Sequence, residues 1–231
     1  MPKACYHHGQ LRGALLDAAE TLVRERGVDG WSLREASARV GVSPSAAYHH
    51  FASRDALVRA LSERVLGRLG ERVSRAAAET PDPGTDHQRR LVAVGRAYVR
   101  WALEDPSVAT LAFRAGATGP ETSLDPHPHD VLAAELDHLT TTGGLPPRAR
   151  PGAEFVLWSA VHGLATLLAD GLIHLDDDQA VDHEAERVVR ATLTGLAHET
   201  TTPGPTPHSA HTKRLCQRPG SPGAPALHGG A

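Results

Sequence analysis

The sequence predicts an all-α chain: an N-terminal three-helix domain containing a helix-turn-helix, followed by a larger α-helical domain. Three observations carry that prediction. Apolar residues recur at helical spacing almost throughout, and few stretches alternate with period two. Serine, proline and glycine fall between the apolar stripes, where helices start and stop. At 231 residues and 40% hydrophobic content, the chain can bury a sizeable core. With only three each of Phe, Tyr and Trp, that core must be mostly Leu, Val and Ala.

The first stripe is Leu11, Leu15, Ala18, Ala19, Leu22 and Val23, ended by Gly27. Ser32 and Glu35 fit a capping box, starting a helix that runs to about Val40 and stops at Gly41. Ser43 caps a third helix with Pro44 at its first position, ending near Phe51. Ser53 caps a fourth, whose stripe is Leu57, Leu61, Val65, Leu69 and Val73. These elements give a domain over 9–69, with the helix-turn-helix at about 32–51. After the break "TPDPGTD", helices are expected at 87–104, 106–116, 129–142, 150–172 and 179–198, within a second domain over 80–200. The acidic run Asp176-Asp177-Asp178 reads as the start of the last of these. Residues 201–231 hold 6 Pro and 5 Gly with almost no large apolar side chain, and read as a disordered tail.

Charge is distributed unevenly. Residues 1–79 carry 12 Lys/Arg against 9 Asp/Glu, whereas residues 80–200 carry 9 against 18. A basic head on an acidic body lets the head face a polyanion while the body avoids one. Cys5 and Cys216 lie near opposite ends and staple nothing, which favours a reducing compartment. With no basic-then-apolar leader, a cytoplasmic protein is expected. The apolar stretch 155–173 holds His162 and Asp170, so it reads as a buried helix rather than a membrane span.

The short third helix has a slim leading face suited to a major groove, with Ser45, Ala46 and Ala47 exposed. Tyr48, His49 and His50 crowd its far end, where hydroxyl and ring N–H donors can meet phosphates. The start of the second helix at Ser32 offers backbone N–H groups to another phosphate, and Arg54 adds charge. An ordinary helical hairpin with surface histidines is the bland alternative.

The stretch "GVDGWSLREASARVGVSPSAAYHHFASRDALVRAL" resembles the DNA-binding domain of the TetR/AcrR family of transcriptional regulators. The likeness spans roughly residues 9–69. It includes the glycine turn, the Tyr-x-His-Phe ending and the Ser-Arg-x-x-Leu start of the fourth helix. "YHHGQLRGALLDAA" resembles one branch of that family, and "WSAVHGL" resembles the Trp-x-x-x-His-Gly (WHG) signature of a C-terminal domain found there. The resemblance implies a homodimer that binds double-stranded operator DNA, most often as a repressor released by a small molecule. It implies phosphate contacts at Ser32, Ser43, Tyr48, His50 and Arg54, and groove contacts at Arg34, Ser45, Ala46 and His49. It also implies that the last two helices form the dimer surface, for which Val181, Val188, Leu193 and Leu196 supply an apolar stripe.

For the effector, candidate wall residues are Trp101, Leu111, Phe113, Phe155 and Trp158, with Arg114 or His138 as polar contacts. Large apolar residues at helical spacing are more often core, which is the plain alternative. His162 reads as a hydrogen-bonded core or interface histidine, or as an effector contact. A regulator of the same fold without an effector is the second reading. A helical metal-binding or catalytic protein is the third. His127-x-His129 lacks further ligands nearby, and no nucleophile elbow, phosphate loop or dinucleotide fingerprint occurs, so no cofactor, metal or enzymatic activity is expected.

Overall fold

The computed structural model describes residues 8–81, 87–114 and 126–199; the tail expected to be disordered lies outside them. Among the described residues there are nine α-helices and no strand. α1 spans His8–Arg26, α2 Leu33–Val40, α3 Pro44–Tyr48 and α4 Arg54–Glu79. The body comprises α5 (Arg89–Glu104), α6 (Pro106–Arg114), α7 (Pro128–Thr141), α8 (Ala153–Ala169) and α9 (Asp178–His198).

In the head, the capping chemistry is complete. The Ser32 hydroxyl accepts the Glu35 N–H while Glu35 reaches back to the Ser32 N–H, so two helix-start donors are satisfied reciprocally. Gly41 then closes α2 at φ 79°, a left-handed conformation that a side chain would strain. Ser43 and Ser53 accept the Ala46 and Ala56 N–H groups. The α1 stripe is buried throughout, against Trp31, Leu33, Ala36, Ala47 and Phe51.

α4 joins head to body. It has 26 residues, about 39 Å at helical rise. It packs on α1 in the head and on α5, α6 and α7 in the body. Leu57, Leu61, Leu69 and Val73 lie at or near zero exposure along it. Around α5 the body closes on α8 and α9. A Cβ on Gly95 would sit 2.6 Å from Val189 Cγ2, so glycine is what lets α5 and α9 approach there.

Three expectations need correction. α3 ends at Tyr48 rather than near Phe51, because the chain turns through His50 and drives Phe51 into the core. α8 covers Ala153–Ala169, not 150–172; Gly152 and Gly171 both take positive φ and bound it. Val181, Leu193 and Leu196 on α9 are buried inside the subunit, with Val188 packed beside them. The exposed apolar side chains lie instead on and after α8: Phe155, Val156, Leu167, Leu172 and Ile173. Helix α6 is described to Arg114, so its expected extension to 116 falls outside the described residues.

Candidate functional site

The head presents α3 to solvent. Ser45, Tyr48 and His49 are exposed, Ala46 and His50 are half-buried, and Tyr48 retains 49% of its surface. Ala47 departs from expectation: it is fully buried, four residues before Phe51 on the inward side of this short helix. The Ser43 hydroxyl accepts the Ala46 N–H, which leaves its own proton to donate.

The arginines of the head sort by their partners. Arg39 forms a two-pronged pair with Glu25 at 2.8 Å. Arg26 pairs with Glu35, the single acidic residue between 31 and 53. Hydrogen bonds from Ser32 and then Arg26 hold the Glu35 carboxyl below its ordinary pKa. Arg54 is tied inward: its guanidinium donates to the Trp31 carbonyl at 3.0 Å and to the Val28 carbonyl, and lies 4.6 Å from the Trp31 ring centroid. It therefore braces the loop ahead of α2, with its other amino group nearer Asp55 at 3.9 Å. Arg34 is exposed and has no acidic partner among the described residues. Spacing gave no sign of Arg12, whose guanidinium lies 5.2 Å from the Phe51 ring centroid.

In the body, Trp101, Phe113, Trp158 and His162 converge from α5, α6 and α8 around Tyr98. The Phe113 and His162 rings lie 4.9 Å apart, and Tyr98 lies 5.2 Å from Trp158 and 6.0 Å from Trp101. Beside them lies a hollow open to solvent, walled by Tyr98, Thr110, Phe113, His162 and Thr166 with Asp170 at the end of α8. Trp158 borders a separate apolar crevice among α4, α5, α7, α8 and α9. The remaining candidates scatter. Leu111 is fully buried in the core, His138 is exposed on α7, and Phe155 is exposed beside the His129 ring at 5.9 Å. The Arg114 side chain lies outside the described residues.

Sequence reasoning missed Tyr98, Thr110, Thr166 and Asp170. Tyr98 is the most informative. Burial pushes its phenol well above the ordinary tyrosine range, so it keeps its proton. Its hydroxyl is hydrogen-bonded to His162 Nδ1 at 2.7 Å. Burial also lowers the His162 pKa, which favours the neutral ring.

No group of three or more His, Cys, Asp or Glu converges among the described residues. His127 Nδ1 accepts the His129 N–H at 3.2 Å, so the His-x-His pair serves as a helix cap. No described helix is long and apolar enough to cross a membrane.

These features define a class: a helix-turn-helix reading head joined through one long helix to a helical body that contains a hollow. Residues 15–61 match the family of bacterial regulatory proteins, tetR family, and residues 91–196 match the tetracyclin repressor-like C-terminal domain. The second match includes Trp158, His162 and Gly163. The chain belongs to the TetR family: it is a DNA-binding transcriptional regulator and not an enzyme. Regulators of this family bind operator DNA and dimerise.

Solved structures share the fold. A protein with unknown function from Rhodococcus sp. RHA1 is 29% identical, with 83% of this chain and 100% of that one covered and a TM-score of 0.69. A TetR-family transcriptional regulator from Pectobacterium atrosepticum is 21% identical, with 83% and 96% covered and a TM-score of 0.63. MexZ, a key repressor responsible for antibiotic resistance in Pseudomonas aeruginosa, is 22% identical, with 83% and 96% covered and a TM-score of 0.54. No curated protein matches the chain.

Proposed function

We propose that this regulator is a homodimeric cytoplasmic repressor that releases its operator when a small molecule enters the hollow between α5, α6 and α8. The carrying observation is that α6 takes part in two contacts at once. Thr110 and Phe113 wall the hollow. Asp105, directly before α6, caps its first turn at the Val108 N–H and holds Arg24 of α1 at 2.5 Å. Farther along, the Ala112 carbonyl accepts the buried Ser62 hydroxyl of α4 at 2.8 Å. A ligand that shifts α6 thus acts on both helices that carry the reading head.

On DNA, α3 lies in the major groove with Ser45, Ala46 and His49 facing base edges and Arg34 reaching in from α2. Ser43, Tyr48, His50 and Arg54 meet phosphates, as do the free N–H groups that begin α2 at Ser32. The small α3 side chains offer few hydrogen bonds, so duplex shape carries part of the selectivity. Two subunits join through α8 and α9, where Val156 and Leu167 supply exposed apolar surface.

Selecting bound duplex from a random pool tests the proposal. The expected product is a near-palindrome with half-site centres roughly 34–36 Å apart, or a multiple of that. Its affinity should fall steeply with salt. Binding without sequence preference, or full binding by a monomer, overturns it. An operator complex that no compound in a chemically broad panel dissociates overturns the effector part alone.

A further inference from the structure

We propose that the hollow between α5, α6 and α8 takes an organic cation, an ammonium group carried on an aromatic or branched apolar body. The proposal rests on the ligand-responsive reading above and names the ligand class.

Charge is the first argument. None of the described lining residues is Lys or Arg, and Asp170 is the one carboxylate among them. Asp170 has no ion-pair partner among the described residues. It also sits at the C-terminus of α8, where the helix adds partial negative charge. An anion would meet two unfavourable fields there.

Aromatic density is the second. The chain has three each of Phe, Tyr and Trp. Of these, Tyr98 and Phe113 line the hollow together with His162, and Trp101 and Trp158 pack against Tyr98. Phe113 stands edge-on to Trp101 at 6.2 Å and to His162 at 4.9 Å. Aromatic rings that line a hollow attract a desolvated ammonium through their quadrupoles.

The third is the state of the histidine. With Tyr98 hydrogen-bonded to Nδ1 at 2.7 Å and burial favouring the neutral ring, the imidazole does not repel a cation.

Three probes of one shape test this with the full-length protein, read by calorimetry and by release of the selected operator. They are benzyltrimethylammonium, its uncharged carbon isostere neopentylbenzene, and phenylmethanesulfonate. The ammonium is expected to bind about tenfold more tightly than the isostere, with the sulfonate weakest. Asp170→Asn, at an exposed position, is expected to narrow that preference by about fivefold while leaving the isostere unchanged. Phe113→Leu should weaken the ammonium more than the isostere, with melting temperature as the control for folding. Equal or tighter binding of the isostere or sulfonate, or an unaltered preference in Asp170→Asn, overturns the proposal. If an uncharged or anionic probe releases the operator, the ligand-responsive reading stands and only the charge assignment falls. If no probe binds and no broader panel releases the operator, both fall.

Discussion

The reading head and the body are built by different rules. In the head, each helix start and turn is set by residues within a few positions of it: Ser32 with Glu35, Gly41, Ser43 with Pro44, and Ser53. The surface it offers follows from that local order, since α3 has only one exposed side. In the body the site is assembled from afar. Tyr98 and His162 are 64 residues apart, and Ser62 meets Ala112 across 50. The lesson is that a local site can be read from spacing, whereas a long-range site needs the packing that brings its parts together.

The largest expected effect tests whether the two regions are separable at all. Leu69 lies fully buried on α4, the helix they share. Leu69→Ala is expected to cost about 2–5 kcal/mol and to lower one common unfolding transition. Trp31 reports on the head and Trp101 and Trp158 on the body, so urea unfolding of single-tryptophan variants can follow each. Two separated transitions would break the comparison by showing independent folding units.

Next in size are changes on the α3 surface, where positioning separates from reading. Ser45→Ala is expected to change preference at one position per half-site, by about 1–3 kcal/mol. Tyr48→Phe removes only a hydroxyl and should weaken all operator variants alike, by roughly 1 kcal/mol. Sequence selection repeated with each variant checks both. If Tyr48→Phe alters the selected sequence while Ser45→Ala leaves it unchanged, α3 does not lie in the groove as proposed.

Which parts of this were legible follows from the same contrast. Helical stripes and caps were readable, because hydrophobic period and capping chemistry are local. Of the eight effector candidates, Trp101, Phe113, Trp158 and His162 pack around Tyr98, and two of them, Phe113 and His162, line the hollow. Leu111 and Phe155 have the same apolar character yet face core and solvent, since period alone does not say which neighbour a face meets. The α9 stripe failed for a related reason: Val181 and Leu193 have the look of a dimer surface but pack inside the subunit. Arg54 carries the expected charge, but its carbonyl partners Val28 and Trp31 are set by tertiary folding.

A smaller effect is expected at the junction. Arg24 bridges Glu20 of α1 and Asp105 ahead of α6, each at 2.5 Å. Its side chain is 48% exposed, so the pair is worth about 1 kcal/mol or less in stability. Its consequence should show instead in communication. Arg24→Gln and Asp105→Asn are each expected to reduce ligand-induced operator release while leaving ligand affinity within about twofold. The double variant should do no more than either single one. Additive losses would mean that the two residues act through different routes.

The smallest effect expected is a pair of separate pH windows, one for each region. In the body, burial lowers the pKa of both His127 and His162 below the ordinary 6.5. The unfolded chain therefore binds protons that the folded chain refuses, so stability falls as pH drops from about 6.5 toward the folded values. At the head junction, burial of Glu20 acts to raise its pKa, but Arg68 and Arg24 outweigh it and hold the carboxyl below 4.5. Its contribution is present above about 4.5 and is lost as pH falls through the lower folded value. Melting temperature followed from pH 7.5 downward should decline in two stages. His127→Gln with His162→Gln is expected to flatten the first stage, and Glu20→Gln the second. A first stage that survives the histidine replacements would place its origin outside the body's buried rings. The head and body would then share a response that their separate chemistry does not account for.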